Sequence, residues 1–133
     1  MRAALLLVAL LSPWLAGCQS GPKMSNLVAL YTDFGINDPY VGQLKGAVKS
    51  VRPSAELLDL SHDSSAFDVS VASYLLAKSA RTLPPGTVVV AIVDPGVGSE
   101  RAALAVRTGS GRVYVAPDNG LLTEVLEIGR AHV

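Results

Sequence analysis

A single cysteine, Cys18, rules out any disulfide within the chain. No His/Cys/Asp cluster has metal-ligand spacing, and no Ser or Cys has a His/acid pair to activate it, so neither a metal centre nor a nucleophile triad is expected. No Gly-Lys-Ser/Thr follows a glycine-rich loop, which argues against a phosphate loop. Eleven basic side chains balance eleven acidic ones, aromatics make up 5% and no Lys/Arg run occurs. No general field therefore draws the chain to nucleic acid. What is present is a half-hydrophobic chain of 133 residues with 12 Gly and 8 Pro, the make-up of one globular domain.

The first stretch stands apart. Arg2 supplies a positive start, Ala3 to Leu11 an apolar run and Leu15-Ala16-Gly17-Cys18 a small-residue end, the layout of an export signal over residues 1–17. A membrane-spanning helix needs about 20 apolar residues, and Pro13 interrupts this run too early. The ending resembles a bacterial lipobox, which implies cleavage before Cys18, a lipid on Cys18 and an exported protein anchored to a bacterial membrane. Residues 18–26 then form a tether. A second reading starts translation at Met24, which leaves the protein cytoplasmic.

Leu27-Val28-Ala29-Leu30-Tyr31 is a continuous apolar run, as expected of an interior strand buried on both faces. Asp38 is predicted to cap a helix with Pro39 at its first position and Tyr40, Val41, Leu44, Ala47, Val48 and Val51 on its buried face. A second strand covers Glu56 to Leu60. Asp68 caps another helix whose buried stripe is Val69, Ala72, Leu75, Leu76 and Ala80. Thr87 to Val93 is rich in β-branched residues and reads as the third strand. Ala102 to Arg107 and Arg112 to Val115 flank Thr108-Gly109-Ser110-Gly111 as a hairpin. Pro117-Asp118-Asn119-Gly120 turns the chain into a last helix, whose face of Leu121, Leu122, Val125 and Leu126 has little to pack against. The order βαβαβ, then a hairpin, predicts an α/β fold over residues 27–127, with a mostly parallel sheet and ligands at the carboxyl ends of its strands. Residues 128–133 read as the translation of a sequencing adapter and are expected to be non-native.

Two loops at strand ends hold the candidate chemistry. Asp33 precedes Gly35, and a carboxylate there either accepts hydroxyl hydrogen bonds, as from a ribose diol, or caps a turn. Asp38 either caps its helix or meets a cationic group. In Asp94-Pro95-Gly96-Val97-Gly98-Ser99-Glu100-Arg101, a pair of Asp94 with Arg101 either holds and polarises a water or is a surface ion pair. His62, near a strand end, reads as structural.

Tyr31-Thr32-Asp33-Phe34-Gly35 with Asp38, Tyr40-Val41-Gly42, Lys45-Gly46, Asp59 with His62, Phe67-Asp68-Val69, Pro85-Gly86-Thr87-Val88, Val93-Asp94-Pro95-Gly96-Val97-Gly98, Arg101 and Pro117-Asp118-Asn119-Gly120-Leu121-Leu122 together resemble one family. It is the S-adenosylmethionine hydroxide adenosyltransferases, relatives of the fluorinating and chlorinating enzymes. The resemblance implies displacement at the 5′ carbon of S-adenosylmethionine by water or hydroxide, giving adenosine and methionine without a cofactor or metal. It assigns the ribose hydroxyls to Asp33, the methionine end to Asp38, the ribose or adenine face to Phe67 and a further substrate contact to Asn119. Asp94 and Arg101 match two members of the family's water-activating Asp, Arg and His set. The His lies in a later segment, and a C-terminal β-barrel completes the pocket at a trimer interface. A homotrimer is therefore expected of the full-length protein, and no turnover of residues 1–133 alone. Halogenating relatives carry Tyr where this chain has Asp94, which favours hydroxide over halide.

Two other readings remain at this point. The Tyr31 to Asp38 loop loosely resembles the calcium loop of nucleoside hydrolases, with Tyr31 and Asn37 replacing two of its acids. The export signal also fits a lipoprotein that binds S-adenosylmethionine or a nucleoside without catalysis.

Overall fold

The computed structural model describes residues 24–64 and 67–130. The predicted export signal, Cys18, the tether up to residue 23 and the tail residues 131–133, His132 among them, lie outside the described residues.

The elements run β1 (Leu27–Thr32), α1 (Tyr40–Val51), β2 (Glu56–Ser61), α2 (Val69–Ala80), β3 (Val88–Ile92), β4 (Ala103–Arg107), β5 (Val113–Pro117) and α3 (Thr123–Arg130). They form one five-stranded sheet in the order β2-β1-β3-β5-β4. β1 pairs in parallel with β2 and β3, and β3 in parallel with β5; only the β4–β5 hairpin is antiparallel. The first crossover steps from β1 to one side and the second returns past β1 to β3. With crossovers of one hand, α1 and α2 must then lie on opposite faces of the sheet.

The clusters agree with that layering. Ala29, Tyr31, Val89, Ala91 and Tyr114 pack with Ala72, Leu76 and Ala77 of α2 and with Leu121, Leu122 and Val125 around α3. On the other face Val28 and Leu30 meet Leu44 and Val48 of α1. β1 is thus buried on both sides, which is why its sequence is apolar without alternation.

Several expectations need correcting. Pro39, not Asp38, is the N-cap of α1 and no side chain caps it. The first turn closes with Gln43 N–H donating to the Pro39 carbonyl, which leaves the Asp38 carboxylate one residue too early to cap it. The buried face predicted for α1 shrinks to Val41, Leu44 and Val48, all half-buried, because the helix covers only the β1–β2 side and Tyr40 and Val51 overhang it. In α2, Leu75 is exposed and Ser73 and Ala77 are buried in its stead. The last helix is not left bare: its start is sealed against α2, with Glu124 N–H donating to Ser73 Oγ at 3.1 Å. The cap at Asp68 is as expected, its carboxylate accepting from Val71 N–H at 3.0 Å.

Candidate active site

All four parallel strands end on the same side of the sheet, and the candidate residues follow those ends. Thr32 pairs with Ile92, so the loops that carry Asp33 and Asp94 leave the sheet side by side. β2 delivers His62 and Ser64 there, and β5 delivers Asn119.

At Asp94 the backbone folds back on its own carboxylate. Oδ1 accepts from Gly96 N–H at 2.9 Å and from Arg101 Nη1 at 2.8 Å. The Asp94 side chain is 12% exposed and that of Arg101 32%, so the pair sits at the rim of the protein and is partly screened by water. Oδ2 makes no hydrogen bond among the described residues. Ile92, Val90 and Val115, on the sheet face that α1 leaves uncovered, line a cavity of about 360 Å³ together with Asp94 and Arg101. Gly98, at φ +87, closes the loop in a conformation that favours glycine.

Asp33 is half-buried and its Oδ2 accepts from the backbone N–H of Phe67 at 3.3 Å. Phe67 is the one non-glycine residue at positive φ among those described, φ +65, and its ring is 71% exposed. An exposed aromatic in a conformation that costs on the order of 1 kcal/mol is a feature that a fold alone does not require. Gly35, at φ +70, donates its N–H to the His62 carbonyl at 2.6 Å.

The structure therefore brings Asp33 to Phe67, and Asp94 to Arg101. It does not bring Asp38 to either pair; this residue is exposed and its carboxylate makes no hydrogen bond among the described residues. Asn119 serves the architecture: its amide donates to the Val93 carbonyl at 2.8 Å and its oxygen accepts from Leu121 N–H at 3.1 Å, tying the β5–α3 turn to the residue before Asp94. Behind Asp33, burial, the largest effect, pushes the Tyr31 hydroxyl above its usual range; Ser64 pulls it back and the Asp33 charge adds to the rise. No aligned hydrogen-bond partner reaches that hydroxyl among the described residues.

The family model described as the SAM hydroxide adenosyltransferase N-terminal domain matches residues 28–133. The chain belongs to this family. Over 106 residues it is 41% identical to the protein of Methanocaldococcus jannaschii named (R)-S-adenosyl-L-methionine hydrolase, covering 77% of this chain and 40% of that one. It is 30% identical over 123 residues to a fluorinase of Nocardia brasiliensis, covering 76% and 41%. The crystal structure of an uncharacterized conserved protein from Thermotoga maritima superposes with a TM-score of 0.73 at 40% identity, covering 76% of this chain and 39% of that one. The chain spans about two fifths of the length of these relatives.

In this adenosyltransferase domain the sequence reading passed over Gly96, Ser64 and Ser73. Gly96 was legible only as loop freedom, whereas its missing side chain is what lets the Arg101 guanidinium lie against the loop. Nothing in the sequence marks the two serines, whose hydroxyls satisfy backbone groups distant along the chain.

Proposed function

We propose that the full-length protein hydrolyses S-adenosylmethionine to adenosine and methionine. A water oxygen attacks the ribose 5′ carbon, the C5′–S bond breaks, the electron pair goes to the departing methionine sulfur, and the water gives up one proton. The observation that carries this reading is the Asp94–Arg101 pair on a cavity beside the Asp33 loop. Arg101 and Gly96 engage Asp94 Oδ1 and leave Oδ2 to accept a proton from the attacking water. The sulfonium is already a good leaving group, so alignment and a partly desolvated nucleophile are the main requirements. Asp33 accepts the ribose hydroxyls, Phe67 lies against the ribose or adenine, and Asp38, exposed at the loop edge, meets the methionine end.

Hydrolysis is favoured over halogenation because identity is 36–43% to relatives named hydrolases and 28–30% to those named fluorinases. The reading extends to a homotrimer and, supported by the lipobox-like Leu15-Ala16-Gly17-Cys18, to a lipid anchor at Cys18.

The test is turnover of S-adenosylmethionine by the full-length protein in H₂¹⁸O. Adenosine labelled at its 5′ hydroxyl is expected. Release of adenine instead would point to nucleoside hydrolysis, and tight binding without product to a binding protein.

A further inference from the structure

The hydrogen bonds that shape the Asp33-Phe34-Gly35 loop lead to the segment after β2. Gly35 N–H donates to the His62 carbonyl, Ser64 Oγ donates to the Thr32 carbonyl, and Phe67 N–H donates to Asp33. Phe34 N–H donates to Thr32 Oγ1 at 3.3 Å, and that oxygen is 2.8 Å from His62 Nδ1. The His62 side chain is 5% exposed, and its Nε2 lies 3.1 Å from Asp59 Oδ1. The contact is oblique: no acceptor is aligned with Nε2 as a hydrogen bond, so Asp59 acts on the ring chiefly through its charge. Asp59 Oδ2 is in turn 2.6 Å from Lys45 Nζ of α1.

An irregularity in β2 makes this chain of contacts possible. Leu30 faces Asp59 and Tyr31 faces Ser61, so Leu60 is the extra residue. Asp59 consequently shares the α1 face with Leu30, within reach of Lys45, while Leu60 packs into the main cluster on the opposite face. The direction of the contacts follows from chemistry. A carboxylate only accepts, so Asp59 selects the ring form with the proton on Nε2. Nδ1 is then an acceptor for the Thr32 hydroxyl, and the Thr32 oxygen keeps its lone pairs for Phe34 N–H.

We propose that His62 is a positioning residue for ligand recognition: through Thr32 and its own carbonyl it sets where the Asp33 carboxylate stands, and so tunes affinity for a ribose diol. The proposal rests on the reading that Asp33 accepts that diol. It does not involve Asp94 or Arg101, so His62 acts on binding and not on the attacking water.

The experiment measures calorimetric binding of adenosine and of 2′,3′-dideoxyadenosine, with kcat and KM for S-adenosylmethionine, in the full-length protein. The variants are His62→Ala, His62→Asn, His62→Gln, Asp33→Asn and the His62→Ala/Asp33→Asn double. Adenosine binding is expected to weaken about tenfold in His62→Ala, the scale of one misplaced hydrogen bond to a charged group. Dideoxyadenosine binding should not change, because it offers Asp33 nothing to hold. KM should rise with kcat held within about twofold. His62→Asn, whose amide reaches the Nδ1 position, should restore adenosine binding and His62→Gln should not. The double variant should bind no more weakly than Asp33→Asn alone. Equal weakening toward both nucleosides, or additive losses in the double variant, would show a purely structural histidine and overturn the proposal. Should His62→Ala not fold, equal adenosine affinity in the Asn and Gln variants overturns it. If Asp33→Asn binds adenosine as the parent does, the fault lies with the diol reading, a result the single Asp33 variant separates from the others.

Discussion

At Gly96 a hydrogen stands where a methyl group would fall 2.7 Å from Arg101 Nη2. The guanidinium is the end of a flexible side chain and can yield, so Gly96→Ala is expected to leave the melting temperature nearly unchanged while swinging Arg101 off Asp94. Turnover by the full-length protein should then fall roughly tenfold to a hundredfold, the usual effect of a misplaced group; parental turnover would show that the pair is not needed. At this scale the sequence was informative about residue types and silent about conformation. Asp33, Asp94 and Arg101 were legible because carboxylates and glycines after apolar strands have few other uses. The left-handed backbone of Phe67 and the orientation of Asn119 toward the Val93 carbonyl were not, because both arise from contacts across long stretches of chain.

Among the elements, α2 shows how far periodicity reaches. Leu75 and Leu76 are consecutive and therefore about 100° apart around the helix, so they cannot both face the sheet. The chain places Leu76 inside, fully buried, with Ala72, Ser73 and Ala77 as a small-residue surface against the sheet, and leaves Leu75 40% exposed. Leu76→Ala is accordingly expected to cost about 2–5 kcal/mol in urea unfolding, and Leu75→Ala less than about 1 kcal/mol. The reverse order would mean that the helix is rotated from this packing. The Asp68 cap should be worth about 1 kcal/mol, read as the loss on Asp68→Ala. That cap was visible in the sequence because an Asp before an apolar-periodic run is a local signal. The missing cap on α1 was not, because it depends on which carbonyl closes the first turn.

Across the whole molecule, charge burial makes stability depend on pH. Burial, the largest effect, pushes the Tyr114 hydroxyl above its usual range, and Arg112 pulls it partly back. A folded-state value above the unfolded one means that this contribution is complete below about pH 10 and is lost as pH rises through the folded value. Tyr114→Phe is therefore expected to make the alkaline decline in urea midpoint shallower above about pH 10, with Tyr31 still contributing; a parallel decline would refute it. Arg112 has a second task, since its guanidinium donates to the Leu83 and Arg81 carbonyls and ties the hairpin to the end of α2. The order of elements, the parallel character of the sheet and the strand-end location of the site were determined by the sequence itself, through local apolar period, turn residues and the chirality of crossovers. Only the tertiary structure decided which residues pair at the site. Strand order puts the ends of β1 and β3 next to one another, the irregularity in β2 aims Asp59 at Lys45, and each of these contacts joins residues whose separation along the chain carries no periodic signal.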